Sequence, residues 1–168
     1  DYNYGRFHKI VSGWRGREVG YSGIFGGGIH IVDLALWLLG VKVTSVRAVG
    51  SSIASEGSGF QNFDTILALL KFDNGAIGKI GVNLPSVTSH FHKMAIYGTK
   101  GTFMNNRKGY GEYVHDLDPI ESSEKTLAAY PGAEKGDGLA NFIRCIRGDA
   151  DPEVSRQEIF AALSICLA

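Results

Sequence analysis

His30 and Asp33 stand three residues apart in the apolar run Ile29 to Leu39, directly behind three consecutive glycines, Gly26 to Gly28. At helical spacing i and i+3 share a face, so an imidazole and a carboxylate become neighbours in a first turn. Such a pair can carry a proton near neutral pH. Free N–H groups at a helix start make the local field positive, which favours Asp33 as an anion and opposes protonation of His30; the carboxylate acts in the opposite sense. The same residues also fit a hydrogen-bonded core histidine beside a carboxylate that satisfies the helix dipole. Glycines without Cβ atoms let a ligand or another backbone come close to that helix start.

Other polar residues gather around this run. Arg6, His8, Lys9, Trp14 and Arg15 punctuate a Gly-rich stretch from Gly5 to Gly28 that reads as a long loop. Loops of that length inside compact domains are usually functional or disordered. A guanidinium in such a loop suits a carboxylate or phosphate, and a solvated loop with one structural arginine is the alternative. His90 and His92 have strand spacing and point the same way. Two imidazoles without a third ligand make a weak metal site, so they are expected at a substrate edge or exposed, and no metal is expected. No GxGxxG follows a strand and no GxxxxGK[ST] occurs, so a nucleotide-binding fingerprint is missing from these residues.

The elements that must position these groups follow from the apolar pattern. Ile29 to Leu39 is expected as a helix ended by Gly40. Strands are expected at Asp1 to Tyr4, Val43 to Ala54, Phe63 to Phe72, Ala76 to Pro85, His90 to Thr99, Gly101 to Asn106 and Tyr110 to His115, with turns at Asn74-Gly75 and Gly98 to Gly101. Asp116 to Gly136 reads as a polar connection, and Gly138 to Arg147 as an amphipathic helix. Ser155 and Glu158 form a capping box ahead of a last helix. The fold class is therefore α+β, a largely antiparallel open-faced sheet with helices on one face. Both faces of Phe63 to Phe72 are apolar, so a second copy is expected against the open face, as a homodimer or homotetramer.

Composition bounds the rest. The 168 residues suit one domain, residues 1–168, and 17 basic against 17 acidic residues argue against nucleic acid or an anionic membrane as partner. Cys145 and Cys166 are far apart and read as reduced thiols in a cytoplasmic protein. No run approaches the roughly 20 apolar residues of a membrane span. The two ends lack caps and polar tails, so the chain reads as a piece of a longer one.

The pattern Gly-x-His-x-x-Asp-x-x-x-Trp-Leu-Leu-Gly over Gly28 to Gly40, with "GWRG" before it and "FDNGAIGKI" and "YGTKGTF" after it, resembles the C-terminal domain of the Gfo/Idh/MocA oxidoreductases. The resemblance runs on to "NFIRCIRG" and "DPEVSRQEIFAALSI". It implies an NAD- or NADP-dependent enzyme acting on a hydroxyl carbon of a sugar, cyclitol or nucleotide sugar. An N-terminal Rossmann domain with a Glu-Lys-Pro lysine, absent from this chain, would bind most of the cofactor, and this piece alone is expected to be inactive. It further implies His30 as the proton-transfer residue, Asp33 as its partner, and Gly27 and Gly28 facing the cofactor. Arg6, His8, Lys9, Trp14, Arg15, His90 and His92 would meet the substrate, with the positive charge suiting an anionic one. Many relatives carry an acid four residues before the His, where this chain has Gly26. A binding or assembly protein that keeps the fold without the chemistry is the alternative.

Overall fold

The computed structural model describes residues 1–105, 110–114, 123–127 and 136–168, which divide into two compact units, residues 1–92 with 160–168 and residues 93–159. The class is α+β, as expected, with the strands shared between two sheets.

The first unit is a five-stranded sheet. Its strands are β1 (Tyr2–Asn3), β2 (Val43–Ser51), β3 (Thr65–Phe72), β4 (Ile77–Asn83) and β5 (Phe91–His92), in the order β2-β3-β4-β1-β5. β1 runs parallel to β4, and the other pairs are antiparallel. The expected Asn74-Gly75 hairpin joins β3 to β4: Gly75 takes φ +88°, open to glycine at little cost, and the Asn74 side chain accepts from the Ala76 N–H. Between β2 and β3 the chain is pinned by Asp64, a buried carboxylate that accepts from the N–H groups of Ala54 and Ser55 at 2.9 and 2.8 Å and from the Thr65 hydroxyl.

Two helices cover the inner face. α1 (Phe7–Val11) is short, and α2 (Ile29–Leu39) ends at Gly40 in the left-handed conformation expected of it. Ile31 and Val32 of α2 and Ala162 near the C-terminus join Ala68, Leu70, Phe72, Ile80 and Val82 in one apolar core. On the opposite face Val49, Leu67, Leu69 and Ile77 stay exposed in the single chain.

The start of α2 differs from expectation. Gly5 to Gly28 is not an extended loop, because it holds α1, a 3-10 turn at Trp14–Gly16 and a π-helical turn at Ile24–Gly28. The π turn runs straight into α2 with Gly28 itself helical at φ −59°, so His30 and Asp33 are not at a free helix start. The positive-field argument therefore does not apply to them. Glycine disfavours helix by about 1 kcal/mol per residue, but here its lack of a Cβ permits close packing that outweighs propensity. A Cβ on Gly28 would run into Val82 and Ile24, and one on Gly27 into the Tyr2 ring.

The second unit carries a four-stranded antiparallel sheet of β6 (Ala95–Gly98), β7 (Gly101–Asn105), β8 (Tyr110–Val114) and β9 (Ser123–Leu127) in sequence order. His90 to Thr99 is thus two strands in separate sheets. The break falls at Lys93 and Met94, where the Asn105 side chain accepts from the Met94 N–H at 2.7 Å and takes it out of a ladder. β9 lies inside the stretch read as a polar connection; the remainder of Asp116 to Gly136 falls outside the described residues, except Gly136. α3 (Asp137–Arg147) matches the expected amphipathic helix. α4 (Arg156–Leu167) opens with the expected capping box: Glu158 accepts from the Ser155 N–H at 2.7 Å, and the Ser155 hydroxyl accepts from the Glu158 N–H at 3.2 Å. Among the described residues no helix is long and apolar enough to cross a membrane.

Candidate functional site

α2 has two unlike sides. Ile31 and Val32 are buried against the sheet, whereas His30, Asp33 and Trp37, at i, i+3 and i+7, are exposed on the other side. The polar pair therefore faces away from the core, and a buried core histidine is excluded. Helical spacing alone puts the Asp33 carboxylate one turn beyond the imidazole.

Sheet topology brings more imidazoles to this place. Tyr2 on β1 lies opposite His92 on β5, so their side chains share a face, and the rings stack with centroids 5.3 Å apart. His90, two residues earlier, meets His92 at 5.0 Å, Tyr2 at 5.3 Å and Tyr4 at 5.9 Å. His30 closes the group from α2, 6.5 Å from His92. The strand-spaced pair His90 and His92 is thus joined to His30 by the β1–β5 edge and the helix laid across it. Arg6 lies 5.0 Å over the Tyr4 ring, adding a fixed positive charge at the same edge.

The electrostatics follow from crowding. Burial pushes His92 down to about 4, helped by the neighbouring His90 and His30. His90 is lowered as well, first by burial and then by Arg6, against a hydrogen bond to the Tyr4 backbone. Burial and the nearby tyrosines push Tyr2 up to about 12. Around neutral pH the cluster therefore presents neutral imidazoles at His90 and His92 and neutral phenol at Tyr2, able to donate and accept hydrogen bonds, with the permanent charge on Arg6.

A second arm comes from the segment before α2. Arg15 lies 4.6 Å over the Trp14 ring and 5.9 Å from that of Tyr21, and Trp14 meets Tyr21 edge-on at 6.4 Å. Tyr21 rests in turn on Phe60 at 6.4 Å. The Tyr21 phenol is raised by burial against the pull of Arg15. His8 and Lys9 lie exposed on α1. Gly27 and Gly28 are buried under this chain's own Tyr2, Val82 and Ile24, so they leave no free cradle for dinucleotide phosphates, and the cofactor-facing role expected of them is not carried further. Among the described residues no three His, Cys, Asp or Glu side chains are arranged to hold a metal ion. Sequence reasoning passed over Tyr2, Tyr4 and Tyr21 as site residues. The alternation of Tyr2, Tyr4 and Arg6 was the available signal, since it runs from β1 toward α1 and sets an aromatic pair and a cation close together.

Comparison with known proteins agrees with this architecture. Residues 2–104 match the model of the GFO/IDH/MocA C-terminal domain. Over 74 residues, 44% of this chain and 22% of the relative, the sequence is 32% identical to the myo-inositol 2-dehydrogenase of Thermotoga maritima. An NAD-binding oxidoreductase from Klebsiella pneumoniae shares the fold with a TM-score of 0.76 at 18% identity, covering 99% of this chain and 53% of that one. The WlbA dehydrogenase from Bordetella pertussis, solved with NADH and UDP-GlcNAcA, gives 0.64 at 23% identity, covering 99% and 49%. The chain thus spans about half the length of these solved structures, and its match about a fifth of the curated relative.

Proposed function

The chain belongs to the GFO/IDH/MocA family as its C-terminal domain, and on that premise we propose that it is the substrate-binding and oligomerisation part of a cytoplasmic NAD(P)-dependent oxidoreductase. Its substrate is a sugar, cyclitol or nucleotide sugar, oxidised or reduced at a hydroxyl carbon. The observation that carries the reading is His30, an exposed imidazole on α2 facing away from the core, beside the imidazoles of His90 and His92. A relative that is a myo-inositol dehydrogenase and a fold neighbour solved with NADH and UDP-GlcNAcA support the cofactor and substrate classes.

A nicotinamide cofactor, held mainly by residues outside this chain, would accept the hydride. In the oxidative direction His30 takes the hydroxyl proton as the carbon loses hydride, and the oxygen becomes a carbonyl. Proton and electron pair leave separately, so an uncharged base near neutral pH suits the step. Asp33 orients the imidazole and stabilises its protonated form. Arg6 and Arg15, each held on aromatic rings, meet the anionic part of a nucleotide sugar, with Trp14 under Arg15 and with His90 and His92 at the β1–β5 edge beside Arg6. The bare sheet face carrying Val49, Leu67, Leu69 and Ile77 meets a second copy.

The test is His30→Ala in the full-length protein. Turnover is expected to fall roughly a hundredfold or more with little change in substrate KM, the usual size of a general acid/base contribution. Unchanged kcat in a folded variant would rule the role out.

A further inference from the structure

Gly26 lies four residues before His30, inside the π-helical turn. In a turn closed by i to i+5 bonds, four residues come close to one full turn, so the surface over Gly26 adjoins the side of the helix that carries His30. That surface is occupied: a Cβ on Gly26 would collide with the Tyr21 hydroxyl and the edge of its ring. Glycine at 26 is what allows the phenol to lie there.

The phenol is fixed by its surroundings. Its ring is wedged edge-on between Trp14 and Phe60, each at 6.4 Å, with the Arg15 guanidinium 5.9 Å from its centroid. Its backbone is tied down too, because the Asn62 amide donates to the carbonyls of Val19 and Tyr21. A structural tyrosine could be replaced there by phenylalanine without loss, but here the polar end of the ring is the part that lies over the helix.

We infer that the Tyr21 hydroxyl, with Arg15 behind it, is a substrate-positioning group of the proton-transfer site, hydrogen bonding to a substrate oxygen beside His30. This rests on the proposed oxidoreductase reading. Arg15 has only donors, so it engages the phenol oxygen and leaves the O–H free to donate. A donor of that kind fits a polyol or sugar, whose neighbouring oxygens need fixing before one of them can lose its proton to His30. Burial keeps the phenol in its neutral, donating form at physiological pH.

The experiment uses the full-length protein, with NAD or NADP reduction followed at the nicotinamide absorbance band and the sugar, cyclitol or nucleotide sugar that the parent turns over. Tyr21→Phe keeps the ring and its packing, so the thermal midpoint should stay within a degree or two of the parent's on the usual scale of a few degrees per kcal/mol, while kcat/KM falls roughly tenfold. Tyr21→Ala should lose more, and adding Gly26→Asp to it, which puts a carboxylate into the vacated space, should recover part of the loss. Parent-like kcat/KM and pH profile in Tyr21→Phe, in a preparation where His30→Ala is inactive, would overturn this inference alone. Parent-like activity in both variants would overturn the role of His30 and this inference with it, and a parent that reduces neither NAD nor NADP with any of these substrates would overturn the oxidoreductase reading itself.

Discussion

Along β3, Ala68, Leu70 and Phe72 are buried, while Leu67 and Leu69, alternating with them, stand 42% and 59% exposed on the opposite face. The residue types hardly differ; what differs is what each face meets. On the inner side α2 and the C-terminal residues of α4 cover the sheet, and at its β1–β5 edge the same side carries Tyr2 and His92. The outer side stays largely exposed among the described residues, and its apolar side chains are interleaved with Arg47 and Lys79, which the register sets opposite Leu69. The bare apolar face is the feature on which the proposed second copy rests, whereas the covered face holds the imidazoles at its β1–β5 edge in place.

Truncating one leucine on each face is the strongest way to break that comparison. Leu70→Ala should cost about 3 kcal/mol, the usual range for a buried leucine losing its packing and leaving a cavity. Leu69→Ala should cost about 0.5 kcal/mol or less in dilute monomer, as exposed substitutions do. Chemical denaturation at low protein concentration measures both. Equal costs would mean that the outer face is already packed within one chain.

Leu69→Glu sharpens the same contrast from the other side. The carboxylate would lie between Arg47 and Lys79 on the neighbouring strands, so the monomer should fold as before. A second copy on this face would then have to bury that charge, and self-association should weaken by roughly a hundredfold. Light scattering against concentration reads the change, and a parent that stays monomeric at high micromolar concentration would remove the interface altogether.

Much of this contrast could be read from the residues, and the rest fails for physical reasons. Alternation in Phe63 to Phe72 shows that two faces are apolar, but not which one the chain's own helices take. Local signals worked where the chemistry is local: Asn74-Gly75, Gly40 and the Ser155–Glu158 box all do what their types require. The π turn could not be read, because three glycines favour a loop by propensity and become helical only through contact with Tyr2 and Val82, far along the chain. His90 to Thr99 looked like one strand because the break at Lys93 and Met94 depends on the Asn105 side chain. In the candidate site, spacing set His30 and Asp33 on one helix face but left a core histidine open until the family resemblance singled them out, and His90 and His92 were legible as a strand-spaced pair. Their meeting needed the β1–β5 pairing, and a strand of two residues leaves almost no periodicity to find.

The smallest effect concerns that edge of the inner face. In the folded chain His92 titrates at about 4, held down first by burial and then by His90 and His30, while an unfolded histidine titrates near 6.5. Between those values the unfolded chain binds the extra proton, so stability rises with pH across the window. The contribution is complete above about pH 6.5 and is lost as pH falls toward 4, where the folded ring also protonates. The ring is part exposed, so screening reduces the effect to something on the order of 1 kcal/mol. His92→Gln cannot titrate, and its denaturation free energy should fall less steeply than the parent's from pH 7 to pH 4.5. Identical slopes would mean that His92 is as free to protonate as an exposed histidine, and that the inner face does not seal its edge.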